Sequence, residues 1–285
     1  MFHPSLSAIR IILVAPAGPL NVGSVARVMA NMGLTQLVLV DPQCNPLGAA
    51  ARRMAVHALP LLEAARVVST LPEALADCHR AIATTARPRP PETPLELPEV
   101  ALPWLCVDPA ASVPLNTALV FGPEDRGLST AELNYAQRFV GIPSNPEYAS
   151  LNLAQAVAVC CYELARFAQG RAASPLPASS SAVQSSAVQS SVAAAAMTAA
   201  VPTAIGQMEG FYQQLEALLL RIEYLYPHTS ASRMEKFRRF FNRAAPTDQE
   251  LAMLRGIFRQ MAWALDSGAE PAASPEGPTV SDRIG

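Results

Sequence analysis

The stretch that decides the fold is IRIILVAPAGPLNVGSVARVMANMGLTQLVLVDP, which occupies residues 9–42. It begins and ends with short, nearly uninterrupted apolar runs, which are typical of strands buried on both faces. The segment between them, residues 21–33, carries small and apolar residues at helical spacing and closes at Gly33, a residue favoured just past a helix end. A strand, a helix and a second strand in this order predict a parallel βαβ unit.

The same alternation continues to residue 168. Further strands are predicted within residues 65–70, 79–87, 117–129 and 138–144. Residues 150–170 predict a long helix, and the proline-rich residues 87–104 are expected to be a connection that covers surface. Spacing alone therefore predicts an α/β domain at residues 1–170, with a mostly parallel sheet of the ordinary doubly wound kind.

Beyond residue 170 the composition changes abruptly. Residues 171–204 consist mainly of Ala, Ser, Pro and Gln, with SSAVQ repeated in tandem, and they predict a flexible linker. Residues 205–265 return to helical spacing and predict a small all-α domain, in which Thr247 and Glu250 form a capping box at the start of the last helix. Residues 266–285 are expected to be a disordered tail.

Composition excludes several classes of protein. The chain has 285 residues, of which 51% are hydrophobic, so it can bury a sizeable core. A net charge of −2 excludes a uniformly basic nucleic-acid coat. No apolar run is long enough to span a membrane, and the N-terminus lacks the charged lead of a signal peptide. Five cysteines without ligand or pairing spacing predict neither disulfides nor a metal site, which favours a cytoplasmic protein.

Charge is concentrated in the predicted helical domain, where residues 221–259 carry eight basic and four acidic side chains. The surplus is compatible with a solvated face on a dimerising helical hairpin, or with contacts to a phosphate backbone. If the second interpretation holds, the candidate RNA-binding residues are Arg233, Lys236, Arg238, Arg239 and Arg243.

Three motifs carry chemistry. GPLNVGSV at residues 18–25 starts like a phosphate-binding loop, but Ser24 and Val25 stand where Lys and Ser or Thr are needed, which argues against a nucleoside triphosphatase. Asn21 is a candidate helix cap there, and an arginine, Arg27, interrupts small apolar residues. FGPEDRGLS at residues 121–129 follows a strand, where open α/β sheets bind ligands.

The third motif, IPSNPEYASLNLAQAV at residues 142–157, opens the long helix, with Ser150 as a candidate N-cap. In this order, the three motifs resemble those of the SPOUT-class RNA methyltransferases, in their TrmH-like 2′-O-ribose branch. RRFFNRAAPTDQELAMLRGI at residues 238–257 is similar to the helical extension of members that act on tRNA. The resemblance covers nearly all of residues 8–168 and 206–262.

This resemblance implies a parallel sheet whose C-terminal segment threads into a trefoil knot, a topology that physical rules would not predict. It implies a homodimer that uses S-adenosylmethionine to methylate a cytidine or uridine ribose in tRNA, at nucleotide 32 of the anticodon loop. The catalytic residues would be Arg27, Asn21 and Ser150. The cofactor-binding residues would be Thr84, Thr85, Ala86, Gly122, Glu124, Ile142, Ser150, Leu151 and Asn152.

Physical chemistry limits these roles. A guanidinium stays protonated in proteins, so Arg27 is expected to position the ribose and stabilise the developing alkoxide. A glycine at 122 would let the cofactor approach the main chain closely. Many relatives have a basic residue where this chain has Pro123, and Arg126 is the local replacement. Two alternatives stay open: the same reaction on ribosomal RNA, and a non-catalytic RNA-binding protein with this fold.

Overall fold

The computed structural model describes residues 4–86, 94–106, 115–148, 150–172 and 201–267. Most of the predicted linker and nearly all of the predicted tail, residues 173–200 and 268–285, lie outside the described residues.

Seven parallel strands form one sheet in the order β3-β2-β1-β6-β4-β7-β5. The strands are β1 (Ile9–Val14), β2 (Gln36–Val40), β3 (Arg66–Val68), β4 (Arg80–Thr84), β5 (Leu95–Glu96), β6 (Thr117–Phe121) and β7 (Arg138–Val140). The predicted parallel α/β class is confirmed. The order differs from the 3-2-1-4-5-6 of an ordinary doubly wound sheet, because β6 lies between β1 and β4.

Most of the helices flank the sheet, and the last three follow it in the helical region, where the described residues form no further sheet strand. They are α1 (Pro4–Ser7), α2 (Pro19–Met32), α3 (Ala49–Ala55), α4 (Leu59–Glu63), α5 (Leu71–Leu75), α6 (Pro98–Ala101), α7 (Thr130–Leu133), α8 (Leu153–Ala172), α9 (Ile205–Arg221), α10 (Ser230–Ala244) and α11 (Asp248–Ser267). Gly33 ends α2 in the left-handed conformation with a φ of 80°, as its position in the sequence predicts. The capping box of Thr247 and Glu250 is also confirmed.

Core side chains cover both faces of the sheet, because successive residues of a strand point to opposite sides. In β1, Ile11 and Leu13 pack with α2 and α8, whereas Ile12 and Val14 pack with α5 on the other face. The strands are therefore apolar throughout, as the sequence of residues 9–14 indicates.

The proline-rich stretch is more than a surface connection. Residues 95–96 add the edge strand β5, and Ala101, Leu102 and Leu105 are buried in the core. Pro98 and Pro103 stand in the first turns of α6 and of the 3-10 helix Leu102–Leu105, where a missing N–H costs nothing. The prolines thus start short helices here.

The helical region, residues 201–267, has a core of its own that includes Phe211, Tyr212 and Leu251. It docks at the amino ends of the strands, since the N–H groups of Ile205 and Gly206 donate to the carbonyls of Cys78 and Ala76, just before β4. The last residues assigned to the linker are also ordered: Thr203 is buried, and its N–H donates to the carbonyl of Pro246.

Candidate active site

A cavity of about 140 Å³ lies at the carboxyl ends of β4, β6 and β7, at the edge of the sheet opposite the helical region. Its walls are the loops that follow these strands and the first turn of α8. The lining residues are Thr84, Thr85, Ala86, Phe121, Gly122, Pro123, Glu124, Gly127, Val140, Ile142, Ser150, Leu151, Leu153 and Ala156. Ligands of open α/β sheets bind at this edge.

Eight of the nine residues that the sequence resemblance assigns to cofactor binding line this cavity. Asn152, the ninth, stands beside it on the amino end of α8. The lining residues that the sequence did not single out are Phe121, Pro123, Gly127, Val140, Leu153 and Ala156. Phe121 and Val140 end β6 and β7, so the convergence of parallel strand ends was a signal that could have found them.

A chain of hydrogen bonds joins the three motifs. Glu124 accepts from the Asn21 side chain over 2.7 Å and from the backbone N–H groups of Ala17 and Gly18 over 3.1 Å. Asn21 accepts in turn from Nδ2 of Asn152 over 3.0 Å. Residues that lie more than a hundred positions apart in sequence are thereby held in one network.

The Glu124 carboxylate lies at the amino end of α2, where the helix dipole favours a negative charge. Burial raises the pKa of Glu124, but the hydrogen bonds from Asn21, Ala17 and Gly18 lower it by more, so the pKa lies below its usual range. Glu124 is therefore ionised at neutral pH, and it is the one charged side chain among the described residues that line the cavity.

Two expected helix caps are corrected. Asn152, not Ser150, caps α8, because its Oδ1 accepts from the backbone N–H groups of Ala154 and Gln155. Asn21 lies inside α2, whose N-cap residue is Gly18, and it turns toward Glu124 instead of capping. Both asparagines therefore bind side chains of other motifs.

Gly122 is required by close packing within its own loop. A Cβ at this position would lie 2.3 Å from the backbone nitrogen of Leu128 and 2.4 Å from the carbonyl carbon of Gly127. The expected reason, close approach of the cofactor to the main chain, is therefore not the nearest one. Gly127 adopts a φ of +66°, a conformation that favours glycine, so both glycines fix the shape of this loop.

The two arginines near the motifs differ. Arg126 forms a double hydrogen bond with Glu132, which also caps α7 through Ser129, so this replacement for the family's basic residue is engaged in holding its own loop. Arg27 is exposed on α2 and does not line the cavity. Within the described part of the chain, its side chain has no hydrogen-bond or ion-pair partner.

The predicted RNA-binding residues of α10 separate into three kinds. Arg238 forms an ion pair with Glu209 and lies 4.4 Å from the centre of the Tyr212 ring, while its assignment to RNA binding stays a prediction. Arg239 pairs with Glu235, and Arg233 bonds the carbonyl of Tyr224. Lys236 and Arg243 are exposed and have no ion-pair partner among the described residues.

Among the described residues there is no group of His, Cys, Asp and Glu side chains that could hold a metal ion. The five cysteines all lie within the described residues, and none of them forms a disulfide. Within the described ranges, no helix combines the length and hydropathy that crossing a membrane requires.

Comparison with known proteins identifies the family. Residues 8–162 match the SpoU rRNA Methylase family, and residues 206–271 match the C-terminal domain of the tRNA methyltransferase TrmJ. The crystal structure of TrmJ from Zymomonas mobilis superposes with a TM-score of 0.70 at 30% identity, covering 89% of this chain and 98% of that one.

Curated relatives agree along nearly the whole length. The tRNA (cytidine/uridine/adenosine-2′-O-)-methyltransferase TrmJ of Pseudomonas aeruginosa is 38% identical over 90% of this chain and 94% of its own. The tRNA (cytidine/uridine-2′-O-)-methyltransferase TrmJ of Cronobacter sakazakii is 37% identical over 88% and 95%. The chain therefore belongs to the SpoU methylases and, among them, to the TrmJ family of tRNA 2′-O-methyltransferases.

Proposed function

We propose that the chain transfers a methyl group from S-adenosylmethionine to the 2′-hydroxyl of a cytidine or uridine ribose in tRNA, at nucleotide 32 of the anticodon loop. The observation that carries this proposal is the cavity at the carboxyl ends of β4, β6 and β7, which is built by the residues of the family's three motifs. TrmJ relatives at 37–38% identity act on tRNA riboses, as their names state.

The cavity fits S-adenosylmethionine in chemistry as well as in position. Its described lining offers backbone groups and apolar side chains with one ionised carboxylate, Glu124, and no cationic side chain. Such a lining favours an uncharged or cationic ligand over a phosphate-bearing one. The residues that would hold the cofactor are Thr84, Thr85, Ala86, Gly122, Glu124, Ile142, Ser150 and Leu151, with Asn152 fixing the loop. When bound, S-adenosylmethionine supplies an electrophilic methyl group on a sulfonium sulfur.

Arg27 is the residue that we expect to act on the ribose. The reaction forms a carbon–oxygen bond at O2′, breaks the methyl carbon–sulfur bond and releases the hydroxyl proton. Because a guanidinium remains protonated, Arg27 would orient the ribose and its neighbouring phosphate and stabilise the developing negative charge on O2′. Among the described residues its side chain has no hydrogen-bond or ion-pair partner, which leaves the guanidinium available for this role. Ser150 is exposed on the cavity rim, and we expect it to contact the ribose.

The site is proposed to be shared between two subunits of a homodimer. Arg27 does not line the cavity of its own chain, so a complete site needs either a rearrangement of α2 or the arginine of a second copy. The outward face of α8 carries exposed apolar side chains, with Val159 at 38% and Tyr162 at 54% exposure, and Leu20 on α2 is 47% exposed. We expect these exposed apolar side chains to be buried in the interface between the two subunits.

Three further features follow from membership of the family and remain part of the proposal. They are a trefoil knot in the C-terminal part of the sheet region, a separate all-α domain that grips tRNA, and action in the cytoplasm. The sheet order, with β6 between β1 and β4, is compatible with the knot.

The test is incubation of the purified protein with radiolabelled S-adenosylmethionine and either total tRNA or ribosomal RNA. Digestion and mapping of the labelled nucleotide should give a single 2′-O-methylated cytidine or uridine in the anticodon loop of tRNA, at nucleotide 32. Label in ribosomal RNA alone would favour the alternative substrate. Absence of label from both RNAs, in a protein that binds tRNA, would favour a non-catalytic RNA-binding protein.

A further inference from the structure

A cleft of about 420 Å³ lies between α9 and α11 in the helical region. The two helices run parallel, since Gln214 on α9 accepts from Arg255 on α11 over 3.0 Å and Arg221 farther along α9 pairs with Asp266. One stripe of each helix forms the walls: Gln207 and Gln214 on α9, and Asp248, Leu251, Ala252, Arg255 and Arg259 on α11.

The cleft exists because small residues stand where the helices face each other. Gly210 lies one turn from both glutamines on α9, and a Cβ built there would meet only Arg255 Nη2, at 4.0 Å. Ala252 is correspondingly small on α11. Side chains of ordinary size at these positions would fill the space between the helices, so the sequence keeps it open.

The positive charge of the cleft arginines is not neutralised by an ion pair with a described carboxylate. Arg255 uses Nε to bond Gln214, and neither Arg255 nor Arg259 has a carboxylate partner in the described part of the chain. Elsewhere in the helical region, Arg238, Arg239 and Arg221 are paired with Glu209, Glu235 and Asp266. The acidic residue of the cleft, Asp248, is seven residues from Arg255, about 10 Å along the helix axis.

We propose that this cleft binds the sugar–phosphate backbone of the substrate RNA, with Arg255 and Arg259 as its phosphate contacts. The proposal rests on the proposed tRNA methylation and adds a contact surface at the edge of the molecule opposite the cofactor cavity. Arg255 and Arg259 are one helical turn apart, about 6 Å along the axis, and guanidinium groups match phosphate oxygens in pairs. The amides of Gln207 and Gln214 provide donors and acceptors for ribose hydroxyls.

The test is the salt dependence of tRNA binding by the full chain carrying Arg255→Gln and Arg259→Gln together, measured by fluorescence anisotropy between 50 and 300 mM salt, on the order of the range where counterion release dominates. Each lost phosphate contact should reduce the slope of log K against log salt by about 0.7–0.9. The double variant should therefore bind more weakly at low salt and lose about 1.5 from its slope.

The matched control is Arg221→Gln, which removes a charge from the same pair of helices but one that Asp266 already neutralises. It should leave the slope unchanged. Circular dichroism and S-adenosylmethionine affinity should be unchanged in all variants. An unaltered affinity and slope in the folded double variant would overturn the proposal and leave the cleft to another partner, such as an acidic protein segment. Failure of the proposed function is separate: the wild-type chain would then bind tRNA with a steeper salt dependence than the double variant and still transfer no methyl group.

Discussion

The cavity at the carboxyl ends of the strands and the helical region at their amino ends use polar side chains in opposite ways. At the cavity, Glu124, Asn21 and Asn152 satisfy one another, and Arg27 on α2 has no hydrogen-bond or ion-pair partner among the described residues. In the helical region Arg233, Arg238 and Arg239 of α10 are engaged by carboxylates or carbonyls, whereas Lys236 and Arg243 of the same helix and the arginines of the α9–α11 cleft have no ion-pair partner among the described residues. From this difference we expect an unpaired cation to be a better guide to RNA contacts than the local count of charges.

The largest expected effect is at Arg27. Arg27→Ala keeps helix propensity high, so the fold and the S-adenosylmethionine affinity should change little. Loss of an electrostatic stabiliser should lower the methylation rate by about 10²–10³. Arg27→Lys keeps the charge without the planar fork and should recover part of that rate. Single-turnover methylation of tRNA checks this, and a wild-type rate in Arg27→Ala would contradict the assignment.

The shared site has its own test. Subunits carrying Arg27→Ala are mixed with subunits whose cavity is filled by Ala156→Leu, and heterodimers are isolated by two affinity tags. If the cavity and the arginine come from different chains, each heterodimer has one intact site and should regain methylation. Heterodimers that remain inactive would indicate that Arg27 serves its own subunit's cavity.

The next effect separates a structural arginine from a free cation on α10. Arg238→Ala should destabilise the helical region by about 3 kcal/mol, because it leaves Glu209 without its ion-pair partner. Lys236→Ala should change stability by about 0.5 kcal/mol or less. It should instead flatten the salt dependence of tRNA binding. Urea unfolding and tRNA-binding titrations of both variants check this difference. Equal free energies of unfolding for Arg238→Ala and Lys236→Ala would contradict it.

A smaller effect is expected where the three motifs are joined. Asn21→Ala removes a donor to Glu124 and the acceptor for Asn152, and it should cost about 1–2 kcal/mol of stability and weaken S-adenosylmethionine binding. Asn152→Ser is the matched variant, because serine still caps α8 but cannot reach Asn21 as asparagine does. It should show the weaker binding with a smaller loss of stability. Equal calorimetric affinity in all three proteins would exclude a role for the network in the cavity.

The smallest effect concerns acid stability at the docking edge. The hydrogen bonds from Arg10 lower the pKa of Asp77 from 3.8 to about 2. Asp77 lies between Ala76 and Cys78, whose carbonyls accept hydrogen bonds from the first residues of α9. Because the folded pKa is depressed, this stabilisation is complete above pH 4 or so and is lost as the pH falls toward about 2. Asp77→Asn should flatten the pH dependence of the unfolding free energy in that window. An unchanged slope would show that the pair contributes nothing.

Much of the sheet region could be predicted from sequence, because its signals are local. Each buried strand is a short apolar run, and the motif loops follow strands directly, so Gly122 and Ile142 could be assigned to one edge. The same local patterns did not predict β5, because its two residues lie in a proline-rich stretch. It also could not give the position of β6 between β1 and β4, which no local pattern encodes.

The ion pair of Arg238 in the helical region could not be predicted from the sequence, for a physical reason. The charge of Arg238 was visible in the sequence, but its partner Glu209 lies 29 residues away on another helix. Pairing of this kind depends on how α9 and α10 pack. The cleft arginines Arg255 and Arg259 were counted as part of the basic surplus. What distinguishes them is the open space beside Gly210 and the lack of a carboxylate partner among the described residues.

The central claim, that the motif-lined cavity holds the methyl donor, is tested most directly by calorimetric binding of S-adenosylmethionine to two leucine variants of α8. Ala156 lines the cavity, whereas its neighbour Gln155 is exposed outside it. Gly122→Val is a poorer test, because its Cβ would strike the loop backbone. Ala156→Leu should fill the cavity and weaken binding by about tenfold or more, close to 1.4 kcal/mol, while Gln155→Leu binds as the wild type does. Wild-type affinity in a folded Ala156→Leu protein would contradict the account.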